Sequence, residues 1–297
     1  ARGGIINEKD LVKALDEDVI AGAAIDVFES EPIKKNHPLI SAKNILLTPH
    51  LGASTKEAKE GVSTTICEQV VDYLINNKIN NALNMPLTNV EDLKKLEPYI
   101  NLANKIGQLH SQLAKGAITN IQFECYGTLE DSKPLILSFL KGLLENYIGS
   151  RVNFINAFSI AEERGISIEH GYNNKETIHT NLIQSYTTSK AGKIKISGSA
   201  LSGRHLRIVN LMGFDIDFRP EKYMLFLKNN DVPGVIGKVG TMLGDQKVNI
   251  AEYHLSRSNK SKYAYAIIKL DEKPTKSVID SLNILNDVLE VKPLLLK

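Results

Sequence analysis

Three residues in the first fifty could do chemistry together: Arg2, Glu31 and His50. His50 stands in Thr48-Pro49-His50-Leu51-Gly52, just past the apolar run Asn44–Leu47, and Glu31 precedes Pro32 just past the run Ala21–Phe28. A carboxylate beside an imidazole favours its protonated form and fixes its tautomer. Arg2, before Gly3-Gly4, offers a planar fork that matches a carboxylate, and charge-assisted hydrogen bonds of this kind are each worth roughly 1.5–3 kcal/mol. An anion binder, a general base and a group that orients the base fit oxidation of a 2-hydroxy acid. Spacing alone leaves an alternative open, since a histidine after proline at a strand end also serves as a structural or solvent-exposed residue.

Elements at carboxyl ends of parallel strands must position such a trio. Leu11, Val12 and Leu15 recur at helical spacing within Glu8–Asp16. The run AGAAIDVF at 21–28 is composed like a strand buried on both faces, and NILL at 44–47 is a second such run. Strand, crossover and strand predict the tail of a parallel α/β sheet. Residues 54–77 read as one long helix with a stripe of Val62, Ile66, Val70, Tyr73 and Leu74, followed by an Asn-rich linker at 76–84 and Met85-Pro86. Helices and then a run of strands between 86 and 220 predict an α+β domain with an antiparallel sheet. From 221 to 297 the pattern is β-α-β-β-α-β, the split βαβ, ferredoxin-like arrangement.

Composition narrows the classes. The chain has 297 residues, 42% hydrophobic and 24% charged, enough for two or three domains with cores. A net charge of +2, with 6% aromatics and no Trp, points away from nucleic acid and from a membrane surface. Cys67 and Cys125 make neither a metal spacing nor a disulfide framework, so no metal is expected and the expected compartment is the reducing cytoplasm.

Three ordered segments carry a resemblance: ARGGIINE at 1–8, AAIDVFESEP at 23–32 and TPHLGASTKEA at 48–58. They resemble the NAD-dependent D-2-hydroxyacid dehydrogenases, and HLGASTKEA is most similar to the phosphoglycerate-oxidising branch. The resemblance implies that Arg2 binds the substrate carboxylate and carbonyl, that Glu31 partners His50, and that His50 is the acid/base. It places Asp26 near the nicotinamide carboxamide, and Ala1, Arg2, His50, Leu51, Gly52 and Ala53 along the NAD site. The implied reaction is oxidation of 3-phospho-D-glycerate, the first step of L-serine biosynthesis. Another NAD-dependent 2-hydroxyacid dehydrogenase is the alternative within this class.

No G-x-G-x-x-G follows a strand, since Gly234, Gly237 and Gly240 have a different spacing. Arg2 is the second residue, and the first is Ala rather than Met. The expectation is therefore the C-terminal part of a Rossmann-like NAD domain, the back of a larger enzyme and inactive alone.

Asn229-Asn230-Asp231-Val232-Pro233-Gly234, with Val248-Asn249-Ile250 beyond it, resembles the ACT domain. That implies L-serine feedback control through Asp231 and Asn249, with Asn229 a further candidate, and homo-oligomers formed through ACT sheet edges. The competing reading has Asp231 capping the helix opened by Pro233. Segments AEERGI at 161–166 and RIVN at 207–210 resemble the intervening domain of the longer phosphoglycerate enzymes. There His205, Arg207 and Arg219 are candidates for an anion site, against the alternative of a solvated basic face. The expected organisation is a dehydrogenase remnant at 1–84, a mixed α+β intervening domain at 85–220 and an ACT domain at 221–297. A non-catalytic serine-sensing or oligomerisation module is the reading from a different class.

Overall fold

The computed structural model describes residues 2–76, 80–81, 90–149, 151–258 and 261–297. The linker read at 76–84 with Met85–Pro86 lies largely outside them. The chain folds as two units, Ala1–Asn80 and Asn81–Lys297.

In the first unit α1 (Glu8–Asp16), β1 (Ala23–Ile25), α2 (Pro38–Ser41), β2 (Ile45–Leu47) and α3 (Lys56–Asn76) follow in order. Asn7 caps α1, its Oδ1 accepting from the amides of Lys9 and Asp10. β1 and β2 pair in parallel, Ala24 opposite Leu46. Leu11, Leu15, Phe28 and Leu39 make the core between the strands and the two short helices. Neither the 21–28 nor the 44–47 run is a strand buried on both faces: only three residues of each pair, and the middle ones, Ala24 and the 63% exposed Leu46, face solvent, because a two-stranded sheet has one packed face. α3 forms as its pattern predicts, but none of its residues is buried, and Val62, Ile66, Val70 and Leu74 lie in solvent.

The second unit runs α4 (Val90–Leu113), β3 (Ile118–Tyr126), α5 (Lys133–Ile148), α6 (Ala157–Glu163), β4 (Ser167–Asn173), β5 (Leu182–Ser189), β6 (Gly192–Leu201), β7 (His205–Leu211) and β8 (Phe214–Phe218). These strands form a six-stranded sheet in the order β4-β3-β5-β6-β7-β8. It is not wholly antiparallel: β4 runs parallel to β3, because α5 and α6 supply the long crossover a parallel pair requires. The pattern over Val152–Arg164 predicts a helix, which begins only at Ala157. Asn153 Oδ1 accepts from the amides of Ile155 and Asn156, and Asn156 Oδ1 accepts from the Asn153 amide, which holds the preceding turn out of helix. α4 and α5 approach through glycines: a Cβ at Gly107 would lie 2.1 Å from the Phe139 carbonyl oxygen, and one at Gly142 2.1 Å from that of Asn104.

The chain closes with β9 (Tyr223–Asn230), α7 (Val235–Asp245), β10 (Ile250–Ser256), β11 (Tyr263–Leu270), α8 (Lys276–Asn283) and β12 (Val288–Leu295). The sheet order β10-β11-β9-β12, antiparallel throughout, is the ferredoxin-like topology the sequence predicts. Leu225, Leu227, Ala266 and Ile268 face α7 and α8, while the alternate residues Met224, Phe226, Tyr265 and Ile267 join the core of the six-stranded sheet.

His110 on α4 is fully buried between two hydroxyls of β5. The Ser185 hydroxyl donates to the Ile196 carbonyl and so accepts from His110 Nε2 at 2.8 Å, leaving the Thr187 hydroxyl to donate to Nδ1 at 2.8 Å. Burial pushes the imidazole pKa down to about 3. Between pH 6.5 and about 3 the unfolded chain takes up a proton that the folded chain refuses, so this contribution is complete above 6.5 and declines as pH falls through that window. At pH 5 the ¹⁵N shifts of His110 should report a neutral ring protonated at Nε2; an imidazolium pattern contradicts the assignment.

Candidate active site

His50 and Glu31 meet as the sequence predicts: Nδ1 lies 2.7 Å from Glu31 Oε2. The second oxygen, Oε1, accepts from the Phe28 amide at 3.0 Å. The hydrogen bond from His50 and then that from Phe28 hold the Glu31 carboxyl below its usual range. An ionised carboxylate only accepts, so Nδ1 carries the proton and Nε2 of the neutral ring presents a lone pair. His50 has φ +56°, a left-handed conformation at the end of the strand–loop segment Thr48–His50.

Asp26 organises that loop. Its Oδ1 accepts from the Thr48 hydroxyl at 2.6 Å and the Leu51 amide at 2.7 Å, and its Oδ2 from the Gly52 amide at 2.9 Å. These contacts, the Thr48 hydroxyl foremost, lower its pKa. A cavity of about 450 Å³ opens beside them, lined among others by Arg2, Asp26, His50, Gly52 and Ala53. A second, of about 460 Å³, lies between Phe28, Glu31, Leu47 and His50, so the imidazole borders both. Leu51 lines neither and meets Asp26 through its backbone, and Ala1 lies outside the described residues.

Sequence reasoning missed the residues that hold this site. A Cβ on Gly3 would stand 1.9 Å from the Phe28 carbonyl oxygen, so the backbone carrying Arg2 lies against the loop carrying Glu31. Glu8 accepts from the Glu29 amide at 2.9 Å and reaches His37 at 3.0 Å, tying the same loop to α1 and α2. The Gly3-Gly4 pair and the Thr two residues before His50 were the available signals.

Of the C-terminal candidates, Asn229 and Asp231 stand together at one end of the four-stranded sheet. Asp231 does not cap α7, whose N-cap is Gly234 without a side-chain bond; it accepts instead from Arg257 Nε at 2.8 Å. Asn229 is buried, and its Oδ1 has no hydrogen-bond partner among the described residues. Asn249 donates to Asp271 at the opposite end of the sheet, since Ile250 pairs with Leu270 whereas Asn229 pairs with Ala264. At about 3.3 Å per residue that separation is about 20 Å, so one chain does not bring the three together. His205 and Arg207 share a face of β7, but Arg207 pairs with Asp217 at 3.1 Å and Arg219 with Glu221 at 3.1 Å, which favours the solvated-face reading. Among the described residues no His, Cys, Asp and Glu group could hold a metal, and no helix is long and apolar enough to cross a membrane.

Residues 1–52 match the D-isomer specific 2-hydroxyacid dehydrogenase NAD binding domain, and residues 95–212 match the D-3-phosphoglycerate dehydrogenase intervening domain. D-3-phosphoglycerate dehydrogenase of Bacillus subtilis is 35% identical over 298 residues, covering 98% of this chain and 56% of the relative. The chain belongs to the D-3-phosphoglycerate dehydrogenase family. Within that family the enzyme of Synechocystis is 37% identical over 92% of this chain and 50% of its own length, and that of Methanocaldococcus jannaschii 34% identical over 98% and 55%. The chain thus spans about half the length of the curated relatives it matches. Its first 52 residues are the Rossmann-like part that carries the trio.

Gly3→Ala should force the Phe28 carbonyl away and cost about 1–3 kcal/mol of stability in the first unit, read as a lowered urea midpoint. An unchanged midpoint means the loops do not touch as described.

Proposed function

We propose that this chain carries the acid–base machinery of an NAD-dependent dehydrogenase that oxidises the C2 hydroxyl of 3-phospho-D-glycerate to 3-phosphooxypyruvate, opening L-serine biosynthesis in the cytoplasm. The observation that carries the reading is the 2.7 Å Glu31–His50 pair facing a cavity shared with Arg2 and Asp26.

Each residue then has a stated task. His50 Nε2 takes the C2 hydroxyl proton. Glu31, ionised, stabilises the imidazolium that forms and prevents the ring from presenting its other nitrogen. Arg2 grips the substrate carboxylate, which orients C2. NAD supplies the hydride acceptor when bound. Asp26 fits its carboxamide: a carboxylate has about four acceptor sites, and Thr48, Leu51 and Gly52 occupy three, leaving one on Oδ2 for an amide N–H.

In the enzyme containing this chain, His50→Asn should lower kcat by about 10²–10⁴-fold, the usual weight of a general base, while the Kd for NADH changes little. Near-normal turnover excludes the role.

The 221–297 segment is assigned as an ACT domain binding L-serine and pairing with a second copy. Its topology supports this, as does the unpartnered Asn229 Oδ1, an acceptor that costs about 1–3 kcal/mol if left unmet. A serine held by both Asp231 and Asn249 must sit between two chains. Calorimetry should show L-serine binding that Asp231→Ala abolishes; no heat with the unmodified chain removes the assignment.

A further inference from the structure

Asp231 shares its end of the four-stranded sheet with a cation. Ser256 pairs with Tyr265, the neighbour of Ala264, and Ala264 pairs with Asn229, so the chain leaving β10 at Arg257 arrives beside the chain leaving β9 at Asp231. There Arg257 Nε donates to Asp231 Oδ2 at 2.8 Å, across 26 positions of sequence. A second carboxylate at this end, Asp287, whose main-chain carbonyl accepts from the Asn230 amide, is held by Lys238 at 2.8 Å.

The contact between Arg257 and Asp231 employs only part of either group. A guanidinium carries five N–H donors in one plane, and this bond takes the one on Nε. The others, on the terminal nitrogens, stand at the outer end of a side chain that is 66% exposed. Asp231 Oδ1 lies outside the bond, and Asn229 Oδ1, two residues earlier, is a buried acceptor with no partner among the described residues. Donors therefore adjoin acceptors, and the charges of Arg257 and Asp231 cancel. A lone ammonium or a lone carboxylate arriving here leaves one member of the pair unmatched, whereas a zwitterion matches both.

We propose that Arg257 receives the α-carboxylate of the bound L-serine through its terminal N–H groups, while Asp231 and Asn229 receive the ammonium. The proposal rests on the L-serine reading above and adds the chemical class the site accepts: a free α-amino acid with both ends charged. One carbon joins the two charged groups of such a ligand, so their receptors must be neighbours, as Arg257 and Asp231 are. The planar fork of an arginine suits a carboxylate, which it can hold by two parallel hydrogen bonds.

Calorimetry on the 297-residue chain tests this with L-serine, L-serinamide and ethanolamine. The last two keep the ammonium and the hydroxyl but lack the carboxylate. The unmodified chain should bind L-serine at least about tenfold more tightly than either, the weight of one charge-assisted contact. In R257Q the affinity for L-serine should fall at least about tenfold, while L-serinamide and ethanolamine bind as well as before or better, because Asp231 has lost its cation. A merely structural Arg257 would weaken all three alike and leave the preference for L-serine intact. The role of Arg257 is overturned if the unmodified chain lacks that preference, if R257Q keeps it, or if R257Q binds L-serine more tightly, which would make Arg257 a competitor for Asp231. No heat from L-serine with the unmodified chain removes the L-serine reading itself, and the role of Arg257 with it.

Discussion

Helix α4 is the wall on which both sheets of the second unit are built, and its burial on several sides at once constrains everything around it. One side admits α5 only because Gly107 and Gly142 let backbone meet backbone. Another sets Ile106 and His110 against the six-stranded sheet. Near its end Gln112 extends a strand it does not belong to: its side-chain amide donates to the Leu295 carbonyl and accepts from the Leu295 amide. Gln108 accepts from the Lys297 amide one turn earlier. A buried backbone group without a partner is costly, so these two glutamines fix where β12 lies, and β12 fixes the sheet it borders.

Much of the fold could be read from periodicity. The β-α-β-β-α-β pattern after residue 221 emerges where periodicity placed it, because its inner strands have one face against helices and one against other neighbours. Misreadings arose where local hydrogen bonding or topology outweighed pattern. Asn153 and Asn156 delay α6 through side chain to backbone bonds that no apolar count detects. The parallel β3–β4 pair follows from a connection, not from the composition of either strand.

The site was legible in its reacting groups and opaque in its supports. Arg2, Glu31 and His50 announce themselves by type and by order. Glu8 and Gly3 act through close approach of segments distant in sequence, which no local pattern encodes. The basic candidates show the converse. Arg207 and Arg219 looked available as residue types, but each finds a carboxylate close by in sequence or across its hairpin.

Two-sided burial of β9 and β11 bears on how the C-terminal region can be inherited. Met224, Phe226, Tyr265 and Ile267, with Leu294 and Leu296, complete a core whose other buried members lie before residue 221. A segment recombined at that point would carry an apolar sheet face into water and leave a matching gap behind. The boundary visible as a repeat of topology is therefore not one at which the protein divides into self-sufficient parts. A lineage that gained or lost the last seventy-odd residues had to remodel the preceding hydrophobic surface in the same step.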